Sequence, residues 1–127
     1  MPEYATYPKC RNVVKVCGRS LRISTKNSVE VCRAISGMRL DKAIEFLERL
    51  LAKKESLNGK YYTNVVKELL KLLHSAKSNA EYKNLDALKM IVHASAHKGF
   101  TFHRPRRLKL ARVKMKITNI QVVLIGG

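Results

Sequence analysis

Residues 63–98 read TNVVKELLKLLHSAKSNAEYKNLDALKMIVHASAHK, and the apolar spacing changes period once within that run. Val65, Val66, Leu69, Leu70, Leu73, Ala76 and Ala80 fall three or four apart, which predicts one buried helix face from about Thr63 to Tyr82. From Leu88 the period is two. Leu88, Met90, Val92, Ala94 and Ala96 share one parity, and Lys89, His93, Ser95 and His97 hold the other. That alternation predicts a strand with one face on a core and one face outward. A long amphipathic helix and a half-buried strand in one run make the fold α+β.

Two shorter helices precede that run. Leu40, Ala43, Ile44, Leu47 and Leu51 form one apolar stripe, with Glu45 and Arg49 paired four apart on its wet side. Before it, Asn27-Ser28-Val29-Glu30 has the spacing of a capping box, and Val31, Cys32 and Ile35 follow at helical spacing. Gly37 supplies a left-handed stop to that helix, and Asn58-Gly59 marks a turn before the long one. Further upstream, Leu21 and Ile23 alternate with Ser20 and Arg22 as a strand. Residues 1–17 read as a basic N-terminal extension and residues 18–127 as a single domain.

Downstream the alternation is regular but changes sense. Ala111, Val113, Met115 and Ile117 are odd-numbered against Arg112, Lys114, Lys116 and Thr118, whereas Ile120, Val122 and Leu124 are even-numbered. A strand has a period of two, so the switch predicts a bulge or a change in what is faced. Residues beyond Thr118 then pack on the helices. Residues 98–118 form a projecting β-hairpin, with extended runs over 98–107 and 109–118 joined near Arg107 and Leu108. Ten residues at ~3.3 Å each give an arm of roughly 33 Å, against a radius of gyration of roughly 14 Å for a compact chain of this size.

Charge says what such an arm faces. The 127 residues carry 26 Lys and Arg against 9 Asp and Glu, a net charge of +17. After Asp86 there are nine basic residues and no acid, while residues 27–86 are nearly balanced, with eleven basic and eight acidic. A free basic surface intersperses acids to limit repulsion, so an acid-free run predicts a polyanion partner, nucleic acid first. Hydrophobic residues make up 46%, which excludes a wholly disordered basic tail. A bare two-stranded ribbon is not stable in water and needs phosphates on Lys98, Arg104, Arg106, Arg107, Lys109, Arg112, Lys114 and Lys116. Phe102, His103 and Arg104 suit stacking on unpaired RNA bases.

Other classes find little support. No apolar run reaches the ~18–20 residues that span a bilayer, and the first ten residues lack a signal-peptide core. Cys10, Cys17 and Cys32 are odd in number and fit neither a disulfide scaffold nor a zinc site, which points to a reducing, cytoplasmic compartment. His93 and His97, four apart on a strand, stand ~13 Å from each other and share no metal. Most of the nine carboxylates lie on amphipathic helices as solvated or dipole-pairing groups, and no glycine-rich phosphate loop occurs. The expectation is no catalysis, no cofactor and no metal.

Residues 18–38, GRSLRISTKNSVEVCRAISGM, resemble the opening of the large ribosomal subunit protein twenty-two family, numbered seventeen in eukaryotes. Leu21-Arg22, Lys26-Asn27, Ala34-Ile35 and Gly37-Met38 stand where its archaeal and eukaryotic branch has them, and within residues 68–86 Ser78-Asn79-Ala80-Glu81 and Leu85-Asp86 are close to a family signature. His103-Arg104-Pro105-Arg106 and Thr118-Asn119-Ile120-Gln121-Val122-Val123-Leu124 resemble its hairpin and last strand. The resemblance implies three helices packed on a small antiparallel three-stranded sheet, with a long projecting basic β-hairpin. It implies a structural role in the large subunit, where ribosomal RNA, neighbouring subunit proteins and the nascent polypeptide are the partners. It implies RNA contacts at the strand-to-helix corner through Arg22 and Lys26, and at Arg112, Lys114 and Lys116 on the returning arm; with Arg19 and Lys98 these can bridge RNA segments. Its hairpin tip, here Arg104, Pro105, Arg106, Arg107, Leu108 and Lys109, would line the polypeptide exit tunnel. Two departures are visible: only residues 52–62 stand where that branch usually carries a longer basic insertion, and the hairpin turn has no glycine. No membrane contact and no homo-oligomer is expected. The alternative reading is an architectural DNA-binding protein that clamps duplex with proline-tipped β-arms.

Overall fold

Chain order in the computed structural model, which describes residues 11–105, 109 and 112–126, follows the change of period. Strand β1 (Val13–Leu21) leads to helices α1 (Thr25–Ile35), α2 (Leu40–Leu51) and α3 (Thr63–Tyr82). Strand β2 (Ile91–Lys98), the short strands β3 (Phe102–His103) and β4 (Lys114–Met115), and β5 (Thr118–Ile125) complete it. β5 is the central strand, antiparallel to β1 on one side and to β2 on the other. The fold is α+β, with three helices and a three-stranded antiparallel sheet.

The inward sheet face is built from cross-strand rows. Val14, Leu124 and Val92 form one row, Val16, Val122 and Ala94 the next, and Gly18, Ile120 and Ala96 the third. α1 lies over β2, α3 over β1, and α2 packs on α3. Ile35, Leu40, Leu47, Leu69 and Leu73 close the core from the helix side and are fully buried. Gly18 in the third row is closely covered: a Cβ there would stand 2.9 Å from Leu21 Cδ1 and 3.1 Å from Leu72 Cδ1 of α3.

The free edge of β2 is covered by the α1–α2 connection. Gly37 N–H donates to the Val92 carbonyl at 2.8 Å, Val92 N–H to Met38 at 2.8 Å, and Leu40 N–H to Met90 at 2.9 Å. The Ser36 hydroxyl accepts the Ala94 N–H at 3.2 Å, so no bare strand edge is offered there for aggregation.

Several boundaries differ from the sequence expectation. β1 begins at Val13, so residues 13–17, read as extension, are part of the sheet. α1 begins at Thr25 and encloses Asn27, so the capping box does not form. The Ser28 hydroxyl, fully buried, donates instead to the Ser24 carbonyl at 2.7 Å. Ala87–Lys89 is a 3-10 turn, and β2 starts three residues later than Leu88, which is 45% exposed. On α2, Leu50 takes the fully buried place, and Leu51 is half-buried. In the arm the register slips by one residue: Lys98 pairs with Thr118, but Phe102 pairs with Met115 and His103 with Lys114. The extra residue sits on the outgoing side, between Gly99 and Phe102, and sets Phe102 opposite the odd-numbered Met115. Residues 1–10, 106–108, 110–111 and 127 lie outside the described residues, and with them the expected arm junction at Arg107 and Leu108.

Elsewhere the local chemistry behaves as written. Asn58 and Gly59 have φ of 53° and 75°, and Leu57 and Lys60 exchange backbone hydrogen bonds of 2.9 and 3.0 Å around them. Two positive φ values in a two-residue loop are a type I′ turn. Gly37 is left-handed at φ 87°. Arg49 holds Glu45 at 3.8 Å and Glu55 at 2.7 Å, tying α2 to the connection that follows it.

The joint between body and arm is fixed by one buried hydroxyl. Thr118 Oγ1 donates to the Ile23 carbonyl at 2.8 Å and lies 2.8 Å from Thr25 Oγ1. It has one proton, so Thr25 must be the donor in the second contact. The start of β5 is thereby locked to the β1–α1 corner. Thr118→Val keeps the shape and strands the Ile23 carbonyl, and should cost about 1–3 kcal/mol by urea unfolding. A variant as stable as the parent would show that this joint contributes nothing.

Among the described residues Cys17 and Cys32 are free thiols. Burial pushes the Cys32 thiol up to about 12, so it stays protonated and inert near neutral pH. The sign for stability follows. A thiol raised by folding costs nothing at neutral pH, and the unfolded chain gains as pH rises above the ordinary thiol range toward about 12. Iodoacetamide at neutral pH should label half-buried Cys17 in the native protein and Cys32 only after unfolding, as peptide mass spectrometry would read. Equal labelling of the two would contradict this packing.

Candidate nucleic-acid interface

The corner after β1, the first turns of α1 and α3, and the returning arm meet along one cleft. β1 carries a bulge between Gly18 and Leu21, with Ser20 at φ 54°, and this shifts its parity. Val14 and Gly18 point inward before the bulge and Ile23 after it, which leaves Arg22 exposed. Thr118 then sets the arm beside that corner. The resulting cleft, of about 450 Å³, is lined by Arg22, Asn27, Asn64, Arg104, Lys114 and Lys116, with Tyr62 at one wall. A second groove of about 340 Å³ runs along the returning strand and adds Lys26, Lys98 and Thr101, sharing Lys114 and Lys116.

No carboxylate lines either groove among the described residues. The ion pairs they form gather on α2, α3 and the 3-10 turn, through Asp41, Glu45, Glu55, Glu68 and Asp86. Helix geometry adds to the field. α1 and α3 both begin at the cleft, neither has an acid in its first turn, and neither has a side-chain cap. Their first backbone N–H groups and positive dipole ends therefore face it uncompensated, whereas α2 has Asp41 in its first turn. Tyr62, just before α3, is held left-handed at φ 47°, a conformation that costs a bulky residue about 1–2 kcal/mol.

The structure thus brings Arg22, Arg104, Lys114 and Lys116 together, with Lys26 and Lys98 alongside. Arg19 stands apart, on the outer sheet face. Phe102 and His103 are exposed on β3, and the Phe102 ring meets Phe100 edge to face with centroids 5.0 Å apart. Pro105, Lys109 and Arg112 are exposed, while Arg106, Arg107 and Leu108 lie outside the described residues. Tyr62, Thr63 and Asn64 are cleft residues that the sequence reading does not include. Their one signal is their place at a helix start, and that does not say which other elements the helix meets.

The described residues thus form a small α+β body with a group of cations, unpaired with carboxylates, beside the two-stranded β3–β4 ribbon. The chain belongs to the ribosomal protein L22p/L17e family, whose model matches residues 16–124. It is 38% identical over 133 residues to the large ribosomal subunit protein uL22 of Methanococcus aeolicus, covering 87% of each chain. It is 37% identical over 145 residues to that of Methanocaldococcus jannaschii, covering 96% of this chain and 93% of the relative. Both alignments are longer than the 127 residues of this chain, so both relatives have residues without a counterpart here.

Proposed function

We propose that this protein is a structural component of the large ribosomal subunit that binds ribosomal RNA through the cleft at the root of its arm. The observation that carries the reading is the convergence of Arg22, Arg104, Lys114 and Lys116, from separate segments, on one acid-free cleft. Cations fixed by a folded corner and a strand pair neutralise phosphates with little ordering cost and bridge RNA segments that meet there. Lys26 and Lys98 extend the contact along the neighbouring groove, and Phe102 and His103 offer rings to unpaired bases. Arg112 stands exposed just before β4 and adds a further cation. The family supplies the kind of polyanion, since the relatives are large-subunit proteins.

The tip residues 104–109 fit a wall of the exit tunnel beside the nascent polypeptide, as the family resemblance implies. That part rests on the basic, acid-free composition of the arm. The role is binding and scaffolding, without catalysis. Among the described residues no cluster of His, Cys, Asp or Glu is arranged to hold a metal ion, and no helix is long and apolar enough to cross a membrane.

Electrophoretic competition tests the reading. Structured large-subunit RNA should displace labelled RNA from the protein at concentrations where duplex DNA of equal length does not. Equal or better competition by DNA would overturn the cleft as an RNA-binding site and favour an architectural DNA-binding use of it.

A further inference from the structure

The sheet carries a hollow on the side away from the helices. Pairing passes from Gly18 with Ile120 to Leu21 with Thr118, so Arg19 and Ser20 together oppose the single residue Asn119. Ser20 N–H donates to Asn119 Oδ1 at 2.9 Å, which orients that amide and leaves its nitrogen as a donor. His97 pairs with Asn119 from β2, and Cys17 pairs with Gln121 one row further on. Phe100, 70% exposed, stands at the edge of the same hollow, which has a volume of about 410 Å³. That is within the ~300–1,000 Å³ of small-ligand sites.

The lining restricts the occupant. It offers one exposed aromatic ring, a row of amide and imidazole groups, and the guanidinium of Arg19, and it contains no carboxylate. An apolar ligand would leave the amides dry, and a simple anion would leave the ring of Phe100 unused. A flat ring with a hydrogen-bonding edge and a phosphate beside it uses all three features. We infer that this hollow takes a single extruded nucleobase of the bound RNA, stacked on Phe100 with its edge toward Asn119 and its phosphate toward Arg19. The inference rests on the RNA-binding reading above and extends it from phosphate contact to recognition of an unpaired base. Paired bases are hidden inside their stack, so a stacking site of this kind selects nucleotides that have left it.

Gel-shift titration of the full chain tests it, using one RNA stem fully paired and four copies each bearing a different single bulged base. The parent should bind at least one bulged stem more tightly than the paired stem, by roughly 5- to 150-fold, the ratio that stacking of one base on an aromatic ring supports. Phe100→Ala should abolish the preference and keep the affinity for the paired stem. The chain has no tryptophan, so Phe100→Trp gives a single tryptophan, excited at the red edge apart from the five tyrosines, whose emission the preferred bulge should quench and the paired stem should not. No preference in the parent, or a preference that survives Phe100→Ala, would overturn the hollow as a base site while RNA binding stood; the hollow would then be open to an aromatic side chain of a neighbouring protein. Failure of the parent to bind any stem would overturn the base site and the RNA-binding reading together.

Discussion

Replacing Arg22, Arg104, Lys114 and Lys116 together by alanine should weaken binding of large-subunit RNA at least ~100-fold at ~0.1 M salt, and should reduce the slope of log affinity against log salt by about 3. Each cation that neutralises a phosphate releases condensed counterions, worth ~0.7 to ~0.9 in slope. The four line one cleft, so their loss removes one continuous contact. Arg22, Lys114 and Lys116 are exposed and Arg104 is half-buried, and none belongs to the core, so circular dichroism and unfolding should match the parent. Lys42, Lys53, Lys54 and Lys60 are exposed and lie outside both grooves; replacing them by alanine removes the same charge. That second variant separates a site from a general field. Equal losses in the two would mean that net charge binds RNA wherever it lies, and the cleft would have no special standing.

Leu124→Ala should be the most damaging single truncation in the sheet, costing about 2–5 kcal/mol. Leu124 is fully buried at the centre of the row that joins Val14 and Val92, on the strand that holds both edges. Its loss leaves a cavity that neither neighbour can fill, because both are β-branched and stiff. Against a total stability of roughly 5–15 kcal/mol, that loss moves the thermal midpoint down by ~10 °C or more. Leu88→Ala removes the same side chain where it is 45% exposed and should stay within about 0.5 kcal/mol of the parent. Urea titrations of the two variants give the comparison directly, and a cost at Leu124 no larger than at Leu88 would contradict the row packing.

Where one signal ruled, the sequence was enough. The period from Val65 to Ala80 runs uninterrupted, and α3 has the bounds it predicts, Thr63–Tyr82. Asn58-Gly59 needs two left-handed residues and has them. The part of β1 before its bulge is hard to see in the sequence, since Val14, Val16 and Gly18 share one parity and Leu21 and Ile23 the other, so no single stripe adds up. The basic residues around it, Arg11, Lys15 and Arg19, make a strand look like a tail. The capping box failed because Ser28 is buried and bonds back to Ser24, a choice made by tertiary packing. The same division holds at the site. Charge along the chain picks out Arg22, Lys26, Lys98, Arg104, Lys114 and Lys116, but their meeting with Asn64 and the start of α3 depends on the Thr118 lock and on helix packing.

Sedimentation in the cells that make this protein tests most directly whether it works as part of the large subunit. Extracts run on sucrose gradients at low and at high salt, with the chain followed by mass spectrometry, should show it with the large-subunit peak at low salt. It should move to the top of the gradient as salt is raised, because phosphate neutralisation supplies much of its hold. Recovery at the top of the gradient at low salt, with intact large subunits lacking the chain, would contradict its place in the subunit.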